Sequence, residues 1–432
     1  MTDTPEKPPA TLREHPVRQT LHEEIHARPS VPLVAPATVV QLSWLLPRET
    51  PSEQLIEHWR QLRNLPGAVL EFDTAAQSLL EWGGLRVKRE RHAEFHAYTF
   101  YLDGDHDSPE ALLSRLPQGW LEASPGEVIA ATHVRLRPVS DTPPSEFLDV
   151  ADPFGPALVA AKISDGNAWV LSDFHLHEGF IQFIVLDAAM TPKQAGRTVQ
   201  RLLEIDTYRM LALLAFPVAK EVGAFLGRAE AELAELVAAM SRATSFEDER
   251  DVLARLTHLA AEIEHSIAAS AYRFGAASAY ASLVRQRIAE LREIRLSGYS
   301  TLQGFMERRF APAMNTCAAV ARRQEELSQR STRNSQLLRT RVDLELERQN
   351  QQLLAQMNRR VKLQLRLQAA VESLSVMAIT YYGSQLIHYF TKGFKPWLHL
   401  EPELATAVAI PVLAALIALG VRRVHRVVEH EG

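Results

Sequence analysis

The sequence predicts an α+β cytoplasmic domain followed by a helical bundle, one long stalk helix and a C-terminal two-helix transmembrane hairpin. Three observations carry this expectation. Short β-branched or alternating runs, separated by turn residues, fill residues 34–190. From Ala313 to Tyr382 seventy consecutive residues contain neither Gly nor Pro. From Leu404 to Val421 eighteen residues carry no charge. Composition agrees with a globular protein: 432 residues with 46% apolar and 23% charged side chains exclude collagen-like and low-complexity chains. With 47 Lys and Arg against 52 Asp and Glu, the net charge of −5 gives no global reason to expect nucleic acid as a partner. A single cysteine, Cys317, excludes an internal disulfide framework and a cysteine-based zinc cluster within one chain.

Taken in order, residues 1–30 form an N-terminal segment with a short helix and without the basic and apolar regions of a signal peptide. The α/β domain spans 31–190. Its expected strands are Ala37 to Leu45, Ala68 to Phe72, Gly84 to Arg89, Glu94 to Tyr101, Val128 to Leu136, Leu158 to Ile163, Trp169 to Phe174 and Phe180 to Leu186. Helices are expected over Ser52 to Asn64 and Pro109 to Leu116, capped by Ser52 and Ser108. Several connections are too short for crossovers, so the sheet should be mostly antiparallel. The helical domain, 191–312, opens at Thr191-Pro192, a cap followed by proline at the first helical position.

The stalk helix covers 313–366. Leu338, Val342, Leu346, Leu353, Met357, Val361 and Leu365 recur at steps of four and seven, one apolar stripe on an otherwise solvated, coiled-coil-like helix. A bundle folding back within one chain is the alternative. The first transmembrane helix is expected at 367–390, a short outer loop at 391–403, the second transmembrane helix at 404–421, and a basic cytoplasmic tail at 422–432. Arg359, Arg360, Lys362 and Arg366 precede this hairpin and Arg422, Arg423 and Arg426 follow it, against Lys392 and Lys395 between the spans. The positive-inside rule then places both chain ends in the cytoplasm, and the expected location is a bacterial inner membrane.

This order of parts is similar to the CorA-type magnesium channels, pentamers in which the stalk and first span line the pore. The resemblance implies a ring of subunits and a divalent cation as partner. The channel signature Gly-Met-Asn after a tyrosine is absent; Tyr382 and Gly383 are followed by Ser384 and Gln385. The chain also resembles a bacterial family of unknown function, through Arg13 to Arg18 with His26 to Pro29, Gly196 to Met210, and Val371 to Val376. That likeness implies no activity.

On the first span Ser373, Thr380, Ser384 and His388 fall on one helical stripe, with Glu372 and Gln385 to either side. They are pore-lining candidates, because polar groups are costly in lipid. The alternative is hydrogen bonding between helices. His22-Glu23-Glu24-Ile25-His26 fits the H-E-x-x-H pattern, in which two histidines one turn apart bind zinc. Glu49 or Glu53 would supply a third ligand, and a solvated helix is the other reading. His175 and His177 alternate with Asp173 on an expected strand and form a second candidate metal pair. Asp103, Asp105 and Asp107 read as a hairpin turn, and Arg201, Glu204, Ile205 and Tyr208 as a helix face for an ion pair or an anion. No P-loop, G-x-G-x-x-G or G-x-S-x-G occurs. No cofactor and no enzymatic activity are expected. Three functions follow: a CorA-like cation conductor, a membrane-tethered scaffold or sensor, and more remotely a zinc hydrolase. Membrane lipid and self-association are expected in the first two.

Overall fold

The computed structural model describes residues 15–19, 21–22, 29–47, 49–74, 76–140, 152–393 and 401–431. The chain is α+β, an N-terminal sheet domain followed by long helices and a C-terminal hydrophobic helix. Two compact units divide it, Met1–Ala239 with Ala254–Asn334 and Met240–Leu253 with Ser335–Gly432.

The first unit is built on one sheet of eleven strands among the described residues. The strands are β1 (Ala37–Leu45), β2 (Val69–Asp73), β3 (Gln77–Trp82), β4 (Leu85–Arg91), β5 (Phe95–Asp103), β6 (Glu127–Pro138), β7 (Val159–Ile163), β8 (Ala168–Ser172), β9 (Leu176–His177), β10 (Phe180–Asp187) and β11 (Ile294–Arg295). Their spatial order is β11-β7-β8-β10-β6-β1-β5-β4-β3-β2, with β9 added on β10. Neighbours are antiparallel except β6 and β10, which run parallel. Strand β1 lies between β5 and β6, and nearly all its residues are buried.

The two faces of β1 are chemically different. Val40, Leu42 and Trp44 join Trp59, Leu62, Tyr98, Phe100 and Trp120 in the main apolar core. Helix α1 (Ser52–Arg63) and the single turn α2 (Glu110–Leu113) supply Trp59, Leu62 and Leu112 to it. Within the core, His58 Nε2–H donates to the Trp120 carbonyl at 2.8 Å and Tyr98 OH donates to His58 Nδ1 at 2.9 Å. On the opposite face, Gln41 and Ser43 meet helix α3 (Pro192–Leu213). Gln41 Nε2 donates to Thr99 Oγ1, Thr207 Oγ1 donates to Gln41 Oε1, and Thr132 Oγ1 donates to Asp206 Oδ2, at 2.8–3.1 Å. Asp206 is fully buried, and Arg209 Nη2 donates to its second oxygen at 2.6 Å. The side-chain oxygens of this row therefore meet partners, as burial of polar atoms requires, while Arg209 Nε is left without one.

Helix α3 opens with a complete capping box, Thr191 with Gln194, as its Thr-Pro start predicts. Gly196 lets it approach the chain at Val31: a Cβ there would stand 2.1 Å from the Val31 carbonyl oxygen. Helix α4 (Ala215–Arg242) buries Ala219, Val222, Leu226, Ala229, Leu233 and Leu236 at three- and four-residue steps. Helices α5 (Phe246–Leu291), α6 (Leu302–Arg309) and α7 (Ala311–Gly393) follow. The part of α7 in the first unit buries Met314, Cys317, Val320 and Leu327, and Arg323 pairs with Glu230 of α4.

In the second unit Leu338, Val342 and Val252 are buried and Arg341 pairs with Glu249 at 2.8 Å. From Leu346 to Val371 every residue of α7 is exposed. Beyond it α7 meets α8 (Pro402–Glu431), where a Cβ on Gly383 would lie 3.3 Å from Leu413 Cδ1.

Several local expectations need correction. Strand β3 was not foreseen. Ser52 is not the cap of α1; Pro51 holds that position, and the Ser52 hydroxyl instead accepts from Arg91 Nη2 at 2.8 Å. The helix expected to Leu116 ends at Leu113. Asp103, Asp105 and Asp107 do not close a hairpin, because β1 lies between β5 and β6; Arg135 binds Asp105 with two prongs, at 2.7 and 2.9 Å. Burial alone would raise the Asp105 pKa, but the hydrogen bond and charge of Arg135, with Arg137, hold it below the usual carboxylate range.

Candidate functional site

The polar stripe on the end of α7 lies in the second unit. Ser384 is buried, with 5% of its surface exposed; Thr380, Gln385, His388 and Glu372 are half-buried and Ser373 is exposed. His388 Nδ1 lies 3.1 Å from Thr406 Oγ1 of α8. The hydroxyls of Ser373, Thr380 and Ser384 donate to carbonyls three or four residues back along α7, a bond that satisfies a hydroxyl without any external partner. Thr391, unremarked in the sequence, is also buried and bonds back to Ile387. On α8 the half-buried positions are mostly small, Ala405, Thr406, Ala409, Ala414 and Ala418 beside Leu413 and Ile417, whereas Leu404, Val408, Ile410, Val412, Leu416 and Leu419 are exposed. Exposed on α7 are Leu374, Met377, Ile379, Tyr381, Tyr382, Leu386, Tyr389 and Phe390.

Among the described residues two helical stretches are long and apolar enough to cross a membrane, Pro192–Arg242 and Glu403–Gly420; 28% of the first one's most apolar window is buried and none of the second's. The segment 367–390 is not among them. Lys395 and Trp397 lie outside the described residues, as does His26 with the rest of its motif after His22; His22 itself is exposed.

His175 and His177 do not alternate along a regular strand, because Phe174 and Glu178 have φ of 57° and 53° and only Leu176–His177 pairs, as β9. They still converge on one buried group: Asp173 Oδ2 lies 2.9 Å from His177 Nε2 and 3.4 Å from His175 Nδ1. Asp173 Oδ1 accepts from the His175 backbone N–H at 2.9 Å. Among the described residues no group of three or more His, Cys, Asp or Glu is arranged to hold a metal ion.

Arg201 and Glu204 belong to an ion-pair network between α3 and α5. Arg201 Nε donates to Glu290 at 3.0 Å, Arg287 binds both Glu204 and Glu290, and Tyr208 stacks on Tyr280. Below α1 lies a cavity of about 300 Å³ lined by Trp59, Arg63, Arg89 and Arg91, which the sequence reading does not single out. A signal exists in β4, where Leu85, Val87, Arg89 and Arg91 share one face by the period of two, so arginine stands where the core face should continue apolar.

Residues 13–428 match the family described as a protein of unknown function, DUF3422, and the chain belongs to that family. No curated protein matches it.

Proposed function

We propose that the chain is an integral membrane protein of the bacterial inner membrane, in which the ends of α7 and α8 form a transmembrane hairpin that anchors the large α+β part, and both chain ends, at the cytoplasmic face. The reading rests on one observation: the helix pair turns small and polar residues inward and large apolar residues outward. In water such an exposed apolar surface is a liability, whereas in lipid it is the expected arrangement, with small side chains permitting close helix approach. The role is that of a tethered scaffold or sensor. His388 is occupied by Thr406 of the same chain and the serine and threonine hydroxyls by their own helix, which favours a sealed helix pair over a polar path.

Self-association belongs to the same reading. The exposed stretch of α7 carries Leu346, Leu353, Met357, Val361 and Leu365 on its stripe, and a second copy supplies the partner such a stripe calls for. A CorA-like conductor is the second reading, favoured by Glu372 and Gln385, polar residues of this span that are no more than half-buried in the single chain and would face the axis of a ring.

Membrane fractionation of the full-length chain and of a variant lacking residues 404–421 tests the anchor. The full chain is expected in the membrane, released by detergent only, and the shortened chain in the soluble fraction; a full chain that stays soluble without detergent removes the reading. The native mass in detergent then separates the two roles, since two spans per chain enclose no axial path without a ring of about five subunits.

A further inference from the structure

The cavity below α1 has a charge imbalance that its own side chains do not resolve. Its volume of about 300 Å³ corresponds to roughly ten water molecules. Four arginines line it, with Asp73 as the single carboxylate among the lining residues. Arg60 is held by Glu57, and Arg63 Nη1 by Asp73 Oδ2 at 3.2 Å. The other Asp73 oxygen already accepts the Ser78 hydroxyl and stands 3.9 Å from Arg89. Arg91 meets the Ser52 hydroxyl and, among the described residues, no carboxylate.

Arg89 is the more demanding of the two. It is buried, with 6% of its surface exposed, beneath α1 and against the aromatic core, its guanidinium 5.6 Å from the centre of the Trp59 ring. Nη2 donates to the Thr74 carbonyl at 3.1 Å and to Ser78 Oγ at 3.0 Å, but Nε has no hydrogen-bond partner, nor has the indole N–H of Trp59. A buried guanidinium with an unmade hydrogen bond, whose counter-charge at 3.9 Å is shared with Ser78 and Arg63, is costly, and burial pushes its pKa down. A ligand supplying negative charge and several acceptor oxygens removes that cost. Forked donors on alternate residues of one strand face, with a third from the helix, match a tetrahedral oxyanion better than a point charge. Leu55, Ile56 and Trp59 line the same cavity and offer an apolar wall to the organic part of an ester.

We propose that this cavity binds a small phosphate-bearing ligand, held by Arg89, Arg91 and Arg63. The pocket lies wholly within the first unit, so the proposal stands apart from the membrane reading.

Calorimetric titration of the full-length chain in detergent, at constant ionic strength, with inorganic phosphate tests it. Saturable one-to-one binding is expected. Arg91→Gln, at a half-buried position, and Arg63→Gln, at an exposed one, should each weaken binding at least about tenfold, the loss of one charge-assisted hydrogen bond. Arg228→Gln on α4 should leave it unchanged. Arg89→Gln should abolish binding, and if that variant fails to fold the two others still decide. Absence of saturable binding, or wild-type affinity in both Arg91→Gln and Arg63→Gln, overturns the proposal. Competition then identifies the source: displacement of phosphate by glycerol phosphate alone indicates a soluble ester, and displacement by phosphatidic acid in the micelle indicates a lipid headgroup. Failure of both to compete overturns the ester class of ligand.

Discussion

The run through α3 and α4 and the apolar part of α8 are both long and apolar enough to cross a membrane, yet they bury different things. On α3, Leu202, Leu203, Ile205 and Leu211 are sealed against the sheet unit, and even the polar Asp206 and Thr207 are enclosed. On α8 most of the large apolar residues are exposed, and Ala405, Ala409, Ala414 and Ala418 turn inward beside Leu413 and Ile417. Composition therefore says that a helix avoids water; which side chains it hides says what replaces the water. Residues hidden in a core are protein-solvated, and residues left outward need lipid or another chain.

The largest expected effect separates the two helices by stability. Leu202→Ala should destabilise the first unit by about 3 kcal/mol through a core cavity, whereas Leu416→Ala should change its denaturant midpoint by less than about 0.5 kcal/mol. Tryptophan fluorescence reports both, because Trp44, Trp59, Trp120 and Trp169 are buried in that unit. Equal effects would erase the contrast.

A pH scan sharpens it from another side. Burial, helped by neighbouring positive charge and opposed by the hydrogen bond to the Pro125 carbonyl, brings the pKa of His96 down to about 4, and burial with Arg135 does the same for His133. Both pKa values lie below the unfolded value of 6.5, so the unfolded chain binds more protons between pH 4 and 6.5. Stability is therefore complete above pH 6.5 and falls as pH drops toward 4, by up to about 3 kcal/mol for each histidine. The chemical-denaturation midpoint of the first unit should fall over that window, and His133→Gln should flatten the fall; a midpoint independent of pH would show the imidazoles to be solvated.

Glycine substitutions give a smaller, signed effect. Gly196→Ala drives a Cβ into the Val31 carbonyl and should cost about 2 kcal/mol. Gly420→Ala meets nothing within 4 Å and should strengthen α8 by about 0.5 kcal/mol. Thermal unfolding followed by circular dichroism reads both. A comparably small effect is expected of Thr406→Val, which removes the His388 partner. It should weaken the helix pair by about 0.6 kcal/mol, read as a lower detergent concentration at its dissociation.

The sheet and the long helices were legible because they rest on local pattern: alternation in β1 and β5, and an unbroken helical stretch in α7. What depends on long-range pairing was not. Asp105 is near a turn in sequence, but its partner Arg135 comes from a strand 30 residues on. The Ser52 hydroxyl looks like a cap until β4 brings Arg91 to it. Strand β3 was missed because Gln77 and Ser78, both buried, interrupt the apolar alternation at its start. Of the candidate sites, the histidines at 175 and 177 were chosen for a strand geometry they do not have, and share Asp173 through a turn instead. The arginine cavity had its one clue in the even spacing of Arg89 and Arg91 with Leu85 and Val87, which becomes informative only once that face is known to be the core face.

The central place of β1 has a consequence for synthesis. Val40 pairs with Phe100 on one side and with His133 on the other, so β1 waits for roughly ninety further residues before both its edges close. At a translation rate of about 5–20 residues per second that is a delay of roughly 5–20 seconds. Until β5 follows, about sixty residues later, the run Val39-Val40-Gln41-Leu42 is an unpaired, strongly β-forming stretch in the nascent chain, and its β6 edge stays open for the whole delay. A holdase that covers β1 until β6 has been made is therefore expected to raise the yield of folded protein, more so than one acting on the helical segments that follow.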